Sequence, residues 1–219
     1  MRYGFSQRFS ALTSRLAALG AAALVAGLAT LPGAQAQTLA ALPTVPSAIS
    51  AGAQTRPIAA WVDFCAAYAT ECAVNTAEPA QITLTPAIWN TIVSINRRVN
   101  KSLVAVTDMD HLHVADRWDL AEDGSGDCED FQLLKRKLLA EAGLPRRAMR
   151  MTVVIDEKGE GHAVLTLITD RGDFILDNKT SAVLSWRQTG YTFIKRESQS
   201  TVGWVSLGRA TSPVTTANR

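Results

Sequence analysis

Hydrophobic residues recur at helical intervals in two early segments of the chain. In residues 61–68, WVDFCAAY, the spacing of the apolar positions predicts a short helix. Residues 83–103, TLTPAIWNTIVSINRRVNKSL, predict a longer one. Its apolar stripe consists of Ile88, Ile92, Ile95 and Val99. Thr85 can cap this second helix, and Pro86 suits its first turn.

A third helical pattern follows the irregular, polar segment 101–126. We expect this helix to start at Asp127 or Cys128, with Ser125 or Asp127 as its cap. Its predicted buried face consists of Phe131, Leu134, Leu138 and Ala142. The sequence GLP at residues 143–145 predicts the end of the helix.

After this helix the apolar residues follow the shorter period of β-strands. The predicted strands have the sequences MTVVI, HAVLTLIT, DFILD, YTFIKRES and GWVSLG. The sequence DRGD at residues 170–173 predicts a turn that joins the second and third strands into an antiparallel hairpin. Because the helices come first and the strands follow, the order of elements predicts an α+β fold with N-terminal helices and an antiparallel sheet.

Residues 1–36 have the composition of a secretory signal peptide. Arg2, Arg8 and Arg15 precede an alanine-rich apolar run, and residues 34–36, AQA, match the A-x-A cleavage pattern. The alternative is an uncleaved membrane anchor, but the apolar run is short for a bilayer span. We therefore expect cleavage after Ala36 and export from the cytoplasm.

The remaining chain divides into three parts by composition. Residues 37–57 are rich in Ala, Pro, Thr and Ser, which predicts a flexible mature N-terminus. Residues 58–209 carry the helical and strand patterns of one folded domain, and residues 210–219 are expected to form a loose tail. The formal net charge is only +2, without a basic stripe, which argues against a nucleic-acid-binding protein.

The three cysteines fit an oxidising compartment. Cys65 and Cys72 are close enough in the chain for a disulfide that closes a short loop. That pairing leaves Cys128 as a reactive thiol or as a buried, inert one. Because Cys128 lies in the first turn of a predicted helix, unpaired amides and the positive end of the helix dipole would favour its thiolate.

A thiol nucleophile needs a base, and the base needs a group that orients it. His162 opens one strand of the predicted hairpin, and Asp177 ends the other. If the turn has two or four residues, Asp177 faces Val164 or Thr166, on the same side of the sheet as His162. A turn with an odd number of residues would place the two groups on opposite faces. The order Cys128, His162, Asp177 therefore predicts a catalytic triad.

Four stretches of the chain resemble one family. The stretches GDCEDF, KRKLLAEAGLP, GHAVLTLITDRGDFILDN and the FC…EC pair are similar to the bacterial transglutaminase-like cysteine peptidases, which include the LapG-type periplasmic proteases. The resemblance runs from about Trp61 to Leu207. It implies a papain/transglutaminase-like α+β fold, with Cys128 as nucleophile, His162 as general base and then acid, and Asp177 as the residue that orients His162. The D-x-W motif of the family corresponds to residues 116–118.

The same resemblance implies calcium dependence, with Asp127 and Glu129 as ligands on either side of the cysteine. Because Ca²⁺ takes about 6–8 oxygen ligands, backbone carbonyls, water, Asp123 or Asp130 would have to contribute as well. Bound Ca²⁺ would cancel the field of the carboxylates on Cys128. The alternative is that Asp127 and Glu129 only cap the helix and match its dipole.

The segment DMDHLH, residues 108–113, combines two histidines with acidic residues and is compatible with a zinc site. A third strong ligand at a usual spacing is missing from the sequence. We therefore expect a solvated loop in this segment.

Together these features predict a periplasmic or secreted cysteine endopeptidase. The resemblance further implies a protein substrate, with large cell-surface adhesins as the class, and an inner-membrane receptor as a regulatory partner. Two alternatives stay open at this point. One is a transglutaminase-type thiol acyl transferase. The other is a non-catalytic periplasmic binding protein that holds a partner with the former substrate groove and a calcium-ordered loop.

Overall fold

The computed structural model describes residues 47–211 of the chain. The predicted signal peptide (1–36), residues 37–46 of the expected flexible segment and residues 212–219 of the expected tail lie outside this range. Within the described residues, no helix is both long enough and apolar enough to cross a membrane.

Five α-helices occur in the described residues. They are α1 (Ala59–Ala67), α2 (Ala69–Cys72), α3 (Pro86–Ser102), α4 (Asp108–His111) and α5 (Cys128–Glu141). Two short 3₁₀ helices, Arg146–Ala148 and Trp186–Gln188, lie between later elements. Helices α1 to α3 come first, the polar segment 101–126 contains α4, and α5, which carries Cys128, follows.

The main sheet of the described domain has seven strands in the order β1-β9-β8-β4-β5-β6-β7, and each neighbouring pair is antiparallel. These strands are β1 (Gln54–Thr55), β4 (Met149–Ile155), β5 (Gly161–Thr169), β6 (Gly172–Leu176), β7 (Leu184–Ser185), β8 (Thr192–Glu197) and β9 (Trp204–Thr211). A separate parallel pair joins β2 (Val104–Ala105) to β3 (Ser125–Gly126). The predicted α+β class with an antiparallel sheet is confirmed.

The predicted ends of the two long helices agree with the structure. The hydroxyl of Thr85 accepts a hydrogen bond from the N–H of Ile88 at 3.2 Å, and Pro86 is the first residue of α3. Helix α5 begins at Cys128, with Asp127 in the cap position, and Gly143 adopts a φ of 91° just beyond its end. That left-handed conformation is accessible to glycine without a Cβ clash, which explains the stop.

The predicted buried face of α5 is wrong in part. Phe131 is buried, but Leu134 and Leu138 are only half-buried and Ala142 is exposed. Fully buried positions of the helix include Leu133 and Leu139 instead. A single-stripe pattern describes a helix with one packed side, whereas α5 packs against α3 and also against the sheet, so its buried surface is wider.

Residues 47–57 differ from the expected flexible N-terminus. Strand β1 pairs with β9 at the edge of the sheet, and Ile49 is buried among apolar residues of the outer sheet face. The N–H of Ile49 donates to the Asp173 carboxylate at 2.9 Å. At the other end, β9 continues to Thr211, beyond the expected start of the tail. Backbone pairing to the long strand β9 explains why polar, alanine-rich residues are ordered here.

Apolar residues cover both faces of the main sheet. The larger cluster lies between the helices and one face, and includes Trp89, Leu133, Met151, Leu165 and Phe174. The smaller cluster covers the opposite face, and includes Val154, Val164, Ile175, Trp186 and Phe193. Because consecutive residues of a strand alternate between faces, β5 contributes Leu165 to one cluster and Val164 to the other.

The disulfide expected between Cys65 and Cys72 is present and joins α1 to α2. Next to it, Glu71 forms an ion pair with Arg146 and accepts a hydrogen bond on its carbonyl oxygen from Arg136 at 3.1 Å. The disulfide loop is therefore held against α5 and the segment that leads into β4.

A buried ion pair connects α5 to β8. Arg136 Nη1 lies 2.6 Å from Glu197 Oε2, and both side chains are almost wholly buried. Oε2 of Glu197 also accepts the N–H of Met151 at 3.0 Å, and Oε1 accepts the indole N–H of Trp61 at 2.6 Å. Burial alone would raise the pKa of Glu197, but Arg136 and Arg150 hold it below its ordinary value.

We expect Glu197→Gln to lower the free energy of unfolding by about 3–5 kcal/mol, because the buried charge of Arg136 loses its counter-ion. The measurement is urea denaturation at neutral pH. Glu141→Gln is the matched control, since it breaks the exposed pair with Lys137 and should change stability by less than about 0.5 kcal/mol. Equal losses in the two variants would contradict a stabilising role for the buried pair.

Candidate active site

Cys128 is the first residue of α5, where the helix meets the start of β5. The backbone N–H of Ala163, next to His162, points at Cys128 Sγ at 3.4 Å. The thiol itself donates to the carboxylate of Glu129 at 3.1 Å. Cys128 is half-buried, and among residues 47–211 it is the cysteine without a disulfide partner.

The close approach of β3 to α5 supports this position of the thiol. A Cβ on Gly126 would lie 2.8 Å from the Cβ of Asp130, which is too close for any side chain. Asp130 in turn accepts the N–H of Asp127 at 3.2 Å and that of Asp119 at 2.8 Å. The carboxylate of Asp130 therefore fixes the loop that leads into the cysteine, and glycine at position 126 permits the contact.

His162 and Asp177 meet on one face of the β5–β6 hairpin. The turn contains two residues, since Thr169 pairs with Gly172, and Leu165 pairs with Leu176. Asp177 follows directly and comes opposite Val164, as the even-turn alternative predicts. His162 Nε2 lies 2.9 Å from Asp177 Oδ1, and both side chains are buried. This bond leaves the other ring nitrogen, Nδ1, to exchange a proton with a neighbouring group.

Other donors hold the Asp177 carboxylate in place. The hydroxyl of Tyr191 donates to Oδ2 at 2.6 Å, and the N–H of Lys179 donates to Oδ1 at 3.0 Å. The Tyr191 ring also packs edge-on against the imidazole of His162, with centroids 5.8 Å apart. Burial alone would raise the pKa of Asp177, but the hydrogen bonds from His162 and Tyr191 lower it below its ordinary value. Asp177 is therefore held as a carboxylate.

Cys128 and His162 line the same cleft, with a volume of about 200 Å³. The other lining residues are Ile58, Asp116, Trp118, Glu129, Val153, Gly161 and Ala163. A second cavity of about 330 Å³ shares Asp116 and Trp118 with the cleft and extends over α1. The D-x-W segment therefore separates two adjacent depressions of the surface.

Carboxylates lie next to the thiol, with Glu129 in direct contact with it. Burial and the charge of Glu129 raise the pKa of the Cys128 thiol well above its ordinary value. Burial and neighbouring Asp127 likewise raise the pKa of Glu129, because two adjacent acids are costly to ionise together. The protein without a cation therefore opposes the thiolate that the helix N-terminus would otherwise favour.

Three overlapping groups of side chains have oxygen or sulfur atoms within 4.8 Å of one another, as a metal site requires. They are Asp127, Cys128 and Glu129; Asp108, Asp127 and Asp130; and Asp108, Asp116 and Glu129. One carboxylate oxygen of Asp127 is buried and has no hydrogen-bond partner in the described part of the chain. An unpartnered buried carboxylate oxygen among further carboxylates fits a hard cation such as Ca²⁺.

Asp123, His111 and His113, which the sequence also offered as ligands, lie outside these three groups. Asp123 accepts the N–H of Ser125 and pairs with His111 at 3.0 Å, outside these groups. His113 is exposed, and its Nδ1 lies 3.3 Å from the carbonyl oxygen of Met109. Neither histidine joins a group of metal-compatible side chains in the described residues.

Three residues of the site were not assigned from the sequence. Asp108 and Asp116 lie far before Cys128 in the chain and approach Glu129 only through the fold of residues 104–126. Tyr191 lies on the loop before β8, and nothing in its local sequence marks it as a partner of Asp177. The D-x-W motif at residues 116–118 is the sequence signal for Asp116, but the motif alone does not identify a metal ligand.

A family model described as bacterial transglutaminase-like cysteine proteinase (BTLCP) matches residues 50–212. The chain belongs to this family. Its predicted assignment to the transglutaminase-like cysteine peptidases is thereby confirmed. The match includes the cysteine helix, the β5–β6 hairpin and residues 50–57, which the sequence alone placed before the folded domain.

Three solved structures of LapG from Legionella pneumophila are similar to parts of this BTLCP chain. The EGTA-treated form has 25% identity and a TM-score of 0.45, over 50% of this chain and 62% of that one. A second structure has 24% identity and a TM-score of 0.47, over 57% and 70%. The calcium-bound form has 23% identity and a TM-score of 0.48, over 58% and 74%. A comparison with curated proteins found no match.

We expect Asp177→Ala to slow alkylation of Cys128 by iodoacetamide about 10²-fold, because the imidazole loses the acceptor that orients it. Asp177→Asn should recover part of the rate, since an amide oxygen can still hold the ring and Cys-His-Asn arrangements work in other thiol proteases. Glu141→Ala, at the exposed end of α5, is the control. Wild-type alkylation rates in both Asp177 variants would exclude a role for this carboxylate.

Proposed function

We propose that this member of the BTLCP family is a cysteine endopeptidase with Cys128 as nucleophile, His162 as base and acid, and Asp177 as the residue that orients His162. The observation that carries the proposal is the 2.9 Å contact between His162 Nε2 and Asp177 Oδ1, in a cleft that His162 lines together with Cys128. A nucleophile, a base and an oriented carboxylate form the minimal set for acyl transfer from a peptide bond.

In the acylation half, His162 Nδ1 takes the proton of the Cys128 thiol, and the thiolate attacks the peptide carbonyl carbon. The amides in the first turn of α5 stabilise the oxyanion that forms, because the helix leaves them without internal partners. The imidazolium then gives its proton to the leaving amine, the C–N bond breaks and a thioester remains. Asp177 stabilises the positive charge on His162 during these steps.

In the deacylation half, His162 removes a proton from water, and the resulting hydroxide attacks the thioester carbon. The C–S bond breaks, the acid product leaves and the thiol is regenerated. The Tyr191 ring holds the imidazole of His162, and its hydroxyl holds the carboxylate of Asp177. The His162–Asp177 pair therefore needs little rearrangement between acylation and deacylation.

The shape of the surface supports a polypeptide substrate. The cavity beyond Trp118 is lined by Phe64 and Asp63 of α1, by Tyr68 just after that helix, and by Asp119. An extended chain with its scissile bond at Cys128 would continue past Trp118 into this second cavity. Such an arrangement would give the enzyme a side-chain subsite away from the reacting carbonyl.

Cys128→Ala should lower kcat/KM for peptide cleavage at least about 10³-fold without lowering Tm, because the nucleophile is lost and the fold keeps its contacts. The assay uses a quenched-fluorescent peptide library, with mass spectrometry to find the cleaved bonds. Lys137→Met, on the exposed side of α5, is the surface control. Substantial cleavage by Cys128→Ala would contradict the proposal, and incorporation of an added amine faster than hydrolysis would indicate a transglutaminase-type acyl transferase.

We also propose a calcium requirement, supported by the carboxylate groups around Cys128. Asp127 and Glu129 would hold the ion, with Asp108 and Asp116 as further oxygen donors. When bound, the cation would neutralise the negative field beside the sulfur and order the loop before α5. Asp127 and Glu129 would then be ligands in addition to their favourable position at the helix N-terminus.

Removal of calcium with a chelator should slow iodoacetamide labelling of Cys128 at least about tenfold, because the carboxylates then raise the pKa of the thiol. Asp127→Asn and Glu129→Gln should make the rate independent of calcium. Asp123→Asn is the matched control, since Asp123 lies in the same loop but outside the carboxylate groups. Labelling that does not respond to chelator in the wild-type protein would favour the capping role alone.

The cellular role is also a proposal. The composition of residues 1–36 supports export, with the periplasm as the compartment, and a Cys65–Cys72 disulfide suits that environment. Cleavage of large cell-surface adhesins and control by an inner-membrane receptor follow from the resemblance in the sequence. Mass spectrometry of the mature protein from a periplasmic fraction tests the cleavage after Ala36.

A further inference from the structure

Lys135 lies in α5 about two turns after Cys128, and its side chain is wholly buried. Its Nζ donates to the main-chain carbonyl oxygen of Asp177 at 2.9 Å and to Gln132 Oε1 at 3.2 Å. The Phe131 ring centroid lies 6.0 Å away. One end of the cysteine helix therefore carries the thiol, and a later turn reaches the residue that orients the imidazole.

The environment of this ammonium is costly for stability. Within residues 47–211, Lys135 has no carboxylate ion pair, and its two oxygen partners are neutral. Its neighbour Arg136, by contrast, is buried with the carboxylate of Glu197. Buried lysines are rare unless they are paired, and burial lowers the pKa of Lys135 to about 7. Stability alone therefore gives little reason for a lysine at this position.

Asp177 is held from both faces of the sheet. On the face that carries His162, the carboxylate contacts His162 and the hydroxyl of Tyr191. From the helix side, Lys135 and the amide of Asn100 both donate to its carbonyl oxygen, the latter at 2.8 Å. Asn100 also donates to the carbonyl of Thr180, so α3 and α5 together fix the turn that begins at Asp177.

We propose that Lys135 is a positioning residue for the Asp177 carboxylate, which it holds in register with the cysteine helix through the Asp177 main chain. The inference rests on the proposed roles of Cys128, His162 and Asp177. Without the Lys135 contact, Asn100 remains as a donor to the carbonyl oxygen, and the turn gains freedom to rotate. A shift of the carboxylate changes the orientation of the imidazole relative to the sulfur.

The first test compares Lys135→Met with Lys137→Met on the exposed side of the same helix. Lys135→Met keeps the length of the side chain and removes the charge and the donors. Relief of the buried charge opposes the loss of two hydrogen bonds, so Tm should change little. We expect kcat for the best peptide from the library to fall about 10–100-fold with KM within twofold, because misorientation affects the transition state more than substrate binding. Lys137→Met should leave both constants unchanged.

The second test reads the histidine directly and needs no substrate. The chain contains three histidines, so ¹⁵N-histidine labelling gives few imidazole signals, and His162→Gln assigns the one of interest. In the wild-type protein, the proton in the His162–Asp177 hydrogen bond should give a downfield resonance that is protected from exchange. In Lys135→Met this resonance should shift and broaden, while in Lys137→Met it should not change.

A Lys135→Met protein with wild-type kcat and an unchanged imidazole resonance would overturn the inference. A second contradicting result would be a fall in activity that only matches a fall in the folded fraction, with an unchanged His162 resonance in the protein that stays folded. If Lys135→Met does not fold, the same measurements on Lys135→Leu decide, because leucine also lacks a donor, and a wild-type kcat there would overturn the inference. Failure of the wild-type protein to cleave any peptide would instead count against the proposed function, and the resonance would still test Lys135.

Discussion

The meeting of the first turn of α5 with the start of β5 decides whether this fold has a reactive centre. At that point the N–H of Ala163 points at Cys128 Sγ, and His162 lies one residue before it on the strand. Gly126 permits the approach of β3 behind the helix start, and Leu133 and Leu139 bury the later turns of α5 in the core. The thiol is therefore located by core packing and by one glycine rather than by a flexible loop.

Two electrostatic effects act near the sulfur. Buried hydrogen bonds stabilise the charged form of Asp177, so the His162–Asp177 pair is already organised in the folded protein. Burial together with Glu129 and Asp127 disfavours the thiolate of Cys128. A bound cation would neutralise these carboxylates and favour the thiolate, which is the physical basis of the proposed calcium requirement.

Two consecutive basic residues of α5 connect different parts of the domain. Arg136 contacts Glu197 in β8 and the carbonyl oxygen of Glu71 beside the disulfide, whereas Lys135 contacts Asp177 at the end of β6. Side chains at neighbouring positions of a helix point in different directions. One helix can therefore contact both the disulfide loop after α1 and the turn that begins at Asp177. The long buried side chains of α5 thus extend its influence well beyond the apolar core.

Local patterns were sufficient for the features that depend on near neighbours. The ends of α3 and α5 follow from caps and glycine, and the common face of His162 and Asp177 follows from a two-residue turn, because side chains alternate along a strand.

Other features depended on elements that meet only on folding. They are the partners of Tyr191 and Lys135, the approach of Asp108 and Asp116 to Glu129, and the width of the buried face of α5. Such contacts join residues far apart in the chain, and their geometry is set by packing between helices and sheet, which no local pattern encodes.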